Sequence, residues 1–204
     1  RVSSLNSARQ SARAQPARDE KMIVALNGLA IDALAAAGKI LGEPAYLAAA
    51  RRAAERIWAL AYDTPARQLR HEAYRGIARG DGFLDDYALL GNGLLSLAEA
   101  SGAKIWRERA VRLGDDALRL FSRPDGSLAI TLAENTLVIV PEDGGDTVYP
   151  SGTSAMVGLL LRLGDARHRG AAERILASRS ARLRAQPDQW PALVAAALRA
   201  PRVT

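Results

Sequence analysis

Cysteine is absent from the 204 residues, and histidine and phenylalanine occur only twice each. Without cysteine the chain has no disulfide framework, no thiolate zinc site and no thiol redox chemistry, which fits a reducing, cytoplasmic compartment. The two histidines, His71 and His168, form no pair at metal-ligand spacing, so no metal site is expected, and nothing implies a cofactor. Aromatics reach only 5%, while apolar residues make up 49% and alanine fills 41 positions. That balance favours helices packed closely through small side chains over a β-sandwich. No apolar run approaches the roughly 18–20 residues of a membrane span, and the N-terminus lacks a signal-peptide core, so no membrane is expected. Position 1 is Arg, not Met, so upstream sequence is expected.

Lysine is scarce too, at 3 against 25 arginines, in a chain of net charge +6. The charge is unevenly placed. Residues 1–21 carry five basic and two acidic side chains, and residues 179–204 carry five and one, leaving the body at −1. No basic stripe interleaved with aromatics appears, so no nucleic-acid partner is expected.

A repeat is present instead. Gly42, Gly102 and Gly164 lie 60 and 62 residues apart. Each is followed four residues later by a ring, Tyr46, Trp106 or His168, and then by an amphipathic run such as LAAARRAAERI. Before each lies an apolar helical stretch, 22–41, 86–100 and 154–163. The pattern predicts three antiparallel hairpins of inner and outer helices, with glycine ending each inner helix in the left-handed conformation. An all-α fold follows, about half of an (α/α)6 toroid, with short β-hairpin-like insertions in the long loops 63–82 and 122–152 and little strand outside 66–76 and 126–148. Residues 1–17 read as a basic N-terminal segment, helical or disordered, and 18–204 as the partial toroid.

The long loops gather at the N-terminal ends of the inner helices, where free N–H groups and helix dipoles favour a polar site for anionic or hydroxyl-rich ligands. Three polar clusters fall there: Arg18-Asp19-Glu20-Lys21 ahead of Asn27, the run GFLDDYA around Asp85, Asp86 and Tyr87, and Tyr149-Pro150-Ser151-Gly152-Thr153-Ser154. Each has a plain structural alternative. Asp85, Ser151 and Ser154 suit N-caps, Asp19 and Glu20 suit the helix dipole, and Lys21 suits an ion pair with them. Asn27 inside an apolar helix needs polar partners. His168, in the ring slot of the repeat, reads as structural.

The run PARDEKMIVALNG at 16–28, the stretch ending GFLDDYA and the motif PSGTSA at 150–155 together resemble the C-terminal region of the spermatogenesis-associated, thioredoxin-domain-containing family. The resemblance implies a toroid similar to six-hairpin glycosidases and N-acylglucosamine 2-epimerases, preceded by a thioredoxin-like domain. Lys21, Asn27, Asp85, Asp86, Tyr87 and Ser151 keep the family pattern. Glu20, Leu26 and Thr153 depart from it, standing where the family usually has Asp, Trp and Asn.

Two functions compete. One is a scaffold or ligand-binding half of a six-hairpin domain, with the missing upstream half and thioredoxin-like domain, or a second chain, as partner. The other is a carbohydrate-active site, a glycoside hydrolase or sugar epimerase, taking a sugar-like small molecule. Hydrolysis needs two carboxylates. Asp86 is the preferred catalytic one, with Asp19 and Glu20 as further candidates, because Asp85 lies nearer the helix start and suits capping. Lys21, Asn27, Asp85, Tyr87 and Ser151 are the expected ligand contacts, with Tyr87 as the stacking ring.

Overall fold

The computed structural model describes residues 19–132 and 143–199, so the segment 1–17 and most of the run SLAITLAENTLVIV lie outside the described residues. The three repeat glycines end helices in the left-handed region, with φ of 65, 71 and 79° at Gly42, Gly102 and Gly164. Each amide closes on the carbonyl four residues back, which satisfies a helix-terminal acceptor and reverses the chain. Three hairpins result: α1 (Val24–Leu41) with α2 (Pro44–Ala61), α3 (Leu84–Ser101) with α4 (Lys104–Phe121), and α5 (Gly152–Leu163) with α6 (Ala166–Ala185). A 3-10 turn at Pro187–Gln189 leads to α7 (Pro191–Arg199), a seventh helix packed on α5.

The inner helices α1, α3 and α5 pack in a row, and each outer helix covers its own partner. The row is tight because glycines face one another. A Cβ on Gly28 would lie 2.5 Å from the Leu90 amide nitrogen, and one on Gly93 would meet the Gly28 carbonyl. The α1 and α3 backbones therefore touch where they cross. Leu90, Leu94, Leu97 and Leu113 complete a core that runs through all three hairpins. In the ring slot of the repeat, Trp106 and His168 are buried, while Tyr46 is 41% exposed because α2 lies at the open edge. The His168 ring joins α6 to α4: Nδ1 contacts the Asp165 carboxylate that caps α6, and Nε2 lies 3.1 Å from Asp115.

The first long loop forms a small sheet that extends further than the sequence predicts. Strand β3 (Gln68–Tyr74) pairs with β4 (Ile77–Asp81) through the two-residue turn Arg75-Gly76, both at positive φ. Along its other edge β3 recruits β1 (Met22–Ile23) and β2 (Tyr62–Asp63). Met22 and Ile23 bond Ala73 and Glu72, so α1 starts at Val24 and not at Met22. The sheet thereby ties the starts of the first two inner helices together.

The expectation that no apolar run reaches span length needs correction. Helix α1 has 18 residues and a mean hydropathy of 1.5, long and apolar enough by those measures to cross a membrane. Only Asn27, Asp32 and Lys39 interrupt it. A toroid's core helix passes the same test, and α1 buries one side here against α2 and α3.

Candidate functional site

Two aspartates open α3, and the structure assigns them opposite environments. Asp86 is fully buried. Its Oδ2 accepts the Phe83 amide at 2.9 Å, reaching back to the N-cap position of its own helix. Its Oδ1 accepts the Ala25 amide at 2.9 Å, satisfying a free donor in the first turn of α1. Oδ2 also lies 2.8 Å from Nδ1 of His71, on β3. Burial pushes the Asp86 carboxyl up to about 6, with the Asp85 charge adding to the rise, while His71 and the Phe83 amide oppose it. The capping role that the sequence assigns to Asp85 thus belongs to Asp86.

Asp85 instead lines a cleft of about 280 Å³ between the starts of α3 and α5, with Phe83, Ile130, Asp143, Tyr149 and Ser151 on its walls. Burial raises its carboxyl above the usual range and the Asp143 charge adds to the rise; first-turn amides and His71 act against it. Asp143 is itself buried, and both its oxygens hold backbone: Oδ2 accepts the Thr153 amide at 2.9 Å and Oδ1 the Gly145 amide at 3.3 Å. Asp146 accepts the amides of Ser151 and Ala192, both at 2.8 Å, which anchors α7 to the start of α5. Ser151 Oγ caps α5 by accepting the Ser154 amide at 3.2 Å. Asp143, Asp146 and the Ser151 hydroxyl therefore already engage the amides of Thr153, Ser151 and Ser154, donors that a bare helix N-terminus would offer to an anion.

The remaining sequence candidates lie elsewhere. Tyr87 is sealed in the core: its hydroxyl accepts the Leu69 amide at 2.7 Å, its ring meets Phe121 edge-on, and burial pushes its hydroxyl up to about 12. It cannot stack on a ligand. Phe83, 41% exposed, offers the ring at this end of α3. Asp19, Glu20 and Lys21 are exposed, with Lys21 Nζ 3.5 Å from Asp19 and 4.0 Å from Glu72 beside the sheet. Asn27 is half-buried and donates to the Ile23 carbonyl at 2.8 Å, which satisfies it locally. None of Asp19, Glu20, Lys21, Asn27 and Tyr87 lines the cleft.

Sequence reasoning missed Asp143 and His71 as members of this region and gave Phe83, within the run GFLDDYA, no role. The first was legible as a turn signal, Asp-Gly-Gly, and no more. Among the described residues no group of three or more His, Asp or Glu is placed to hold a metal ion. A larger groove, about 760 Å³, runs along the outer face of α4 from Lys104 to Asp115. It lies away from the inner-helix starts. Nearby, buried Asp116 binds Tyr62 and Arg67, both at 2.8 Å, and fastens the end of α2 to α4.

Sequence comparison places this arrangement among known proteins. The chain is 33% identical over 194 residues to spermatogenesis-associated protein 20 of Rattus norvegicus, covering 87% of this chain and 24% of that protein. It is 32% identical over 199 residues to the Homo sapiens protein of the same name, covering 90% and 25%. The chain is a homologue of the spermatogenesis-associated protein 20 family. It spans about a quarter of the length of these relatives, and no family model matches it.

Solved structures agree on the fold. The chain resembles cellobiose 2-epimerase from Spirochaeta thermophila, with a TM-score of 0.64 and 20% identity, covering 78% of this chain and 43% of that one. It also resembles the GH76 α-mannanase BT2949 of Bacteroides thetaiotaomicron, at 0.63 and 16%, covering 84% and 46%. The unsaturated glucuronyl hydrolase of Bacillus sp. GL1 matches at 0.63 and 17%, covering 81% and 48%. The described residues of this homologue of spermatogenesis-associated protein 20 form three hairpins of a six-hairpin toroid fold.

Proposed function

We propose that the chain is the ligand-binding half of a six-hairpin toroid, and that its cleft between the α3 and α5 starts takes a sugar-like small molecule. The observation that carries this reading is the Asp85–Asp143 pair. One carboxylate faces the cleft with its proton affinity raised, while the other is held by two amides inside the wall. Asp85 can hydrogen-bond a ligand hydroxyl or give it a proton, and the rings of Phe83 and Tyr149 offer apolar faces beside it. A cleft of about 280 Å³ suits a single sugar unit. The solved toroids of similar fold include proteins described as a sugar epimerase, a mannanase and a glucuronyl hydrolase, which supports a carbohydrate-active reading.

The test is a panel of hexoses, hexuronates and their disaccharides, followed by chemical shifts of the Gly145 and Ser151 amides. The expected result is saturable shifts in the wild type that vanish in Asp85→Asn. A panel that leaves those amides unmoved would overturn the reading.

A scaffold role is favoured by a separate observation. The side of α1 turned away from the core is apolar, with Leu26 50%, Ile40 81% and Leu41 69% exposed. Patches of this kind mark contacts. We propose that further hairpins cover it, either from an upstream part of a longer polypeptide that carries a thioredoxin-like domain or from a second chain.

A further inference from the structure

We propose that His71 is a proton-transfer group at the rim of this site, presented by Asp86 with its proton on Nδ1 and Nε2 free to accept another from a ligand hydroxyl. The inference deepens the sugar-binding reading of the cleft and rests on it for the identity of the ligand.

Hydrogen-bond bookkeeping sets the tautomer. Asp86 receives the Ala25 and Phe83 amides at 2.9 Å each, and an amide N–H only donates. Two backbone donors on the carboxylate favour its ionised form. Against an ionised carboxylate the Nδ1 atom of His71, 2.8 Å from Oδ2, is the donor, because an unprotonated nitrogen facing an acceptor oxygen would be repelled. With its carboxyl at about 6, Asp86 is ionised at neutral pH and remains an acceptor.

The ring is also fixed in orientation. It meets the Phe83 ring edge-on at 4.9 Å, and its side chain is 29% exposed while Asp86 is fully buried. Since Nδ1 points at the buried carboxylate, the exposed edge carries Nε2. Phe83 and Asp85, neighbours of Asp86 at the start of α3, line the cleft, and His71 is near enough to Asp85 to bias its charge. An acceptor and a donor of protons therefore sit at one helix start. Asp85 supplies the acid, and His71 supplies the base that Asp143, with both oxygens held by amides, cannot.

The step balances within the site. Nε2 takes the proton of a ligand hydroxyl and becomes an imidazolium, whose charge Asp86 stabilises. Asp85 gives its proton to a second ligand oxygen and becomes ionised next to that cation. The ligand gives one proton to His71 and receives one from Asp85, so its own proton count is unchanged. One proton has passed from Asp85 to His71, its return through solvent restores both groups, and no oxidant or reductant is needed.

The experiment uses the whole chain, labelled with 15N-histidine, and two-bond 1H–15N correlations at neutral pH. Only two histidines contribute, and His71→Gln identifies the signals that belong to His71. His168 is an internal control, buried with both nitrogens on carboxylates. The expected spectrum has His71 protonated at Nδ1 and unprotonated at Nε2, and Asp86→Asn shifts it toward the Nε2–H form that free histidine prefers. Diethyl pyrocarbonate then probes the nitrogen: Nε2 attacks a carbonyl carbon, a new N–C bond forms, and ethyl carbonate leaves to give carbon dioxide and ethanol. Mass spectrometry should find the adduct on His71, forming several-fold more slowly in the presence of a saturating sugar from the binding panel. A wild-type spectrum with Nε2–H or averaged tautomers overturns the proposal whatever happens to the variants, including an Asp86→Asn that does not fold. Such a failure leaves sugar binding by the cleft untouched, whereas a panel without binding overturns the cleft reading and leaves the tautomer result standing.

Discussion

The Asp86 carboxylate and the Ala25 amide, 61 residues apart in sequence, meet at 2.9 Å in a fully buried hydrogen bond. One side chain thus serves two helix starts, its own through Phe83 and that of the neighbouring inner helix through Ala25. Replacing it by Asn keeps the shape but leaves one buried amide facing an N–H or unpaired. Asp86→Asn should lower stability by about 2–4 kcal/mol, read by urea denaturation at neutral pH. A loss under half of that would mean that the junction is solvated.

The same group sets a pH dependence. Its folded value of about 6 lies above the ordinary carboxylate value, so the folded state binds this proton more tightly than the unfolded chain. Its contribution is complete below the unfolded value near 4 and is lost as pH rises through about 6. The midpoint of urea unfolding should carry this fall in the wild type between pH 4 and 7. The profile of Asp86→Asn should be flatter across that window, and parallel profiles would contradict the assignment.

Asp85→Asn should behave differently. Its carboxyl is partly buried near Asp143, and an Asn oxygen still accepts the first-turn amides, so the change keeps those contacts and removes only the titrating group. The expected melting temperature is unchanged or slightly raised, with sugar binding abolished. A fall of several degrees would make Asp85 a structural group and remove the support for the binding reading.

Tyr87→Phe removes only the hydroxyl that the Leu69 amide needs. It should cost about 1–3 kcal/mol, because a buried N–H is left without an acceptor. Sugar affinity should not change, since the ring does not reach the cleft. Urea denaturation of the variant checks the first half of this expectation and calorimetric titration with the sugar the second.

Glycines offer an internal contrast. Gly28→Ala forces a methyl to within 2.5 Å of the Leu90 amide nitrogen, where no rotation relieves it. The inner helices must separate, and the cost should be about 3 kcal/mol or failure to fold. Gly158→Ala, in α5, meets nothing within 4 Å and should gain about 0.5–1 kcal/mol from helix propensity. Thermal melts of the two variants should move in opposite directions.

On the open face of α1, Leu26→Lys with Ile40→Lys should leave the circular dichroism spectrum and melting temperature unchanged. The pair should reduce binding of a hydrophobic dye and any self-association seen in sedimentation. A large loss of stability would place those side chains inside the fold of the single chain.

The sequence by itself determined the repeat: three glycines in left-handed turns, a ring after each, and runs of helical period on either side. Those features are local, since a turn depends on the backbone freedom of one residue and a helix on neighbours three and four positions away. The polar face at the inner-helix starts was legible for the same reason, because hairpins of fixed hand send every long loop to one end. Only the tertiary structure decided which of two adjacent aspartates faces the cleft. Asp85 and Asp86 are chemically identical, and what separates them is Ala25 on another helix and His71 on a strand. Tyr87 was lost to the core because the Leu69 amide needed an acceptor, and Asp143 entered the wall because the α5 amides needed a carboxylate. Burial and partnership at such positions come from residues 10 to 61 places away, and no local pattern in the chain encodes those distances.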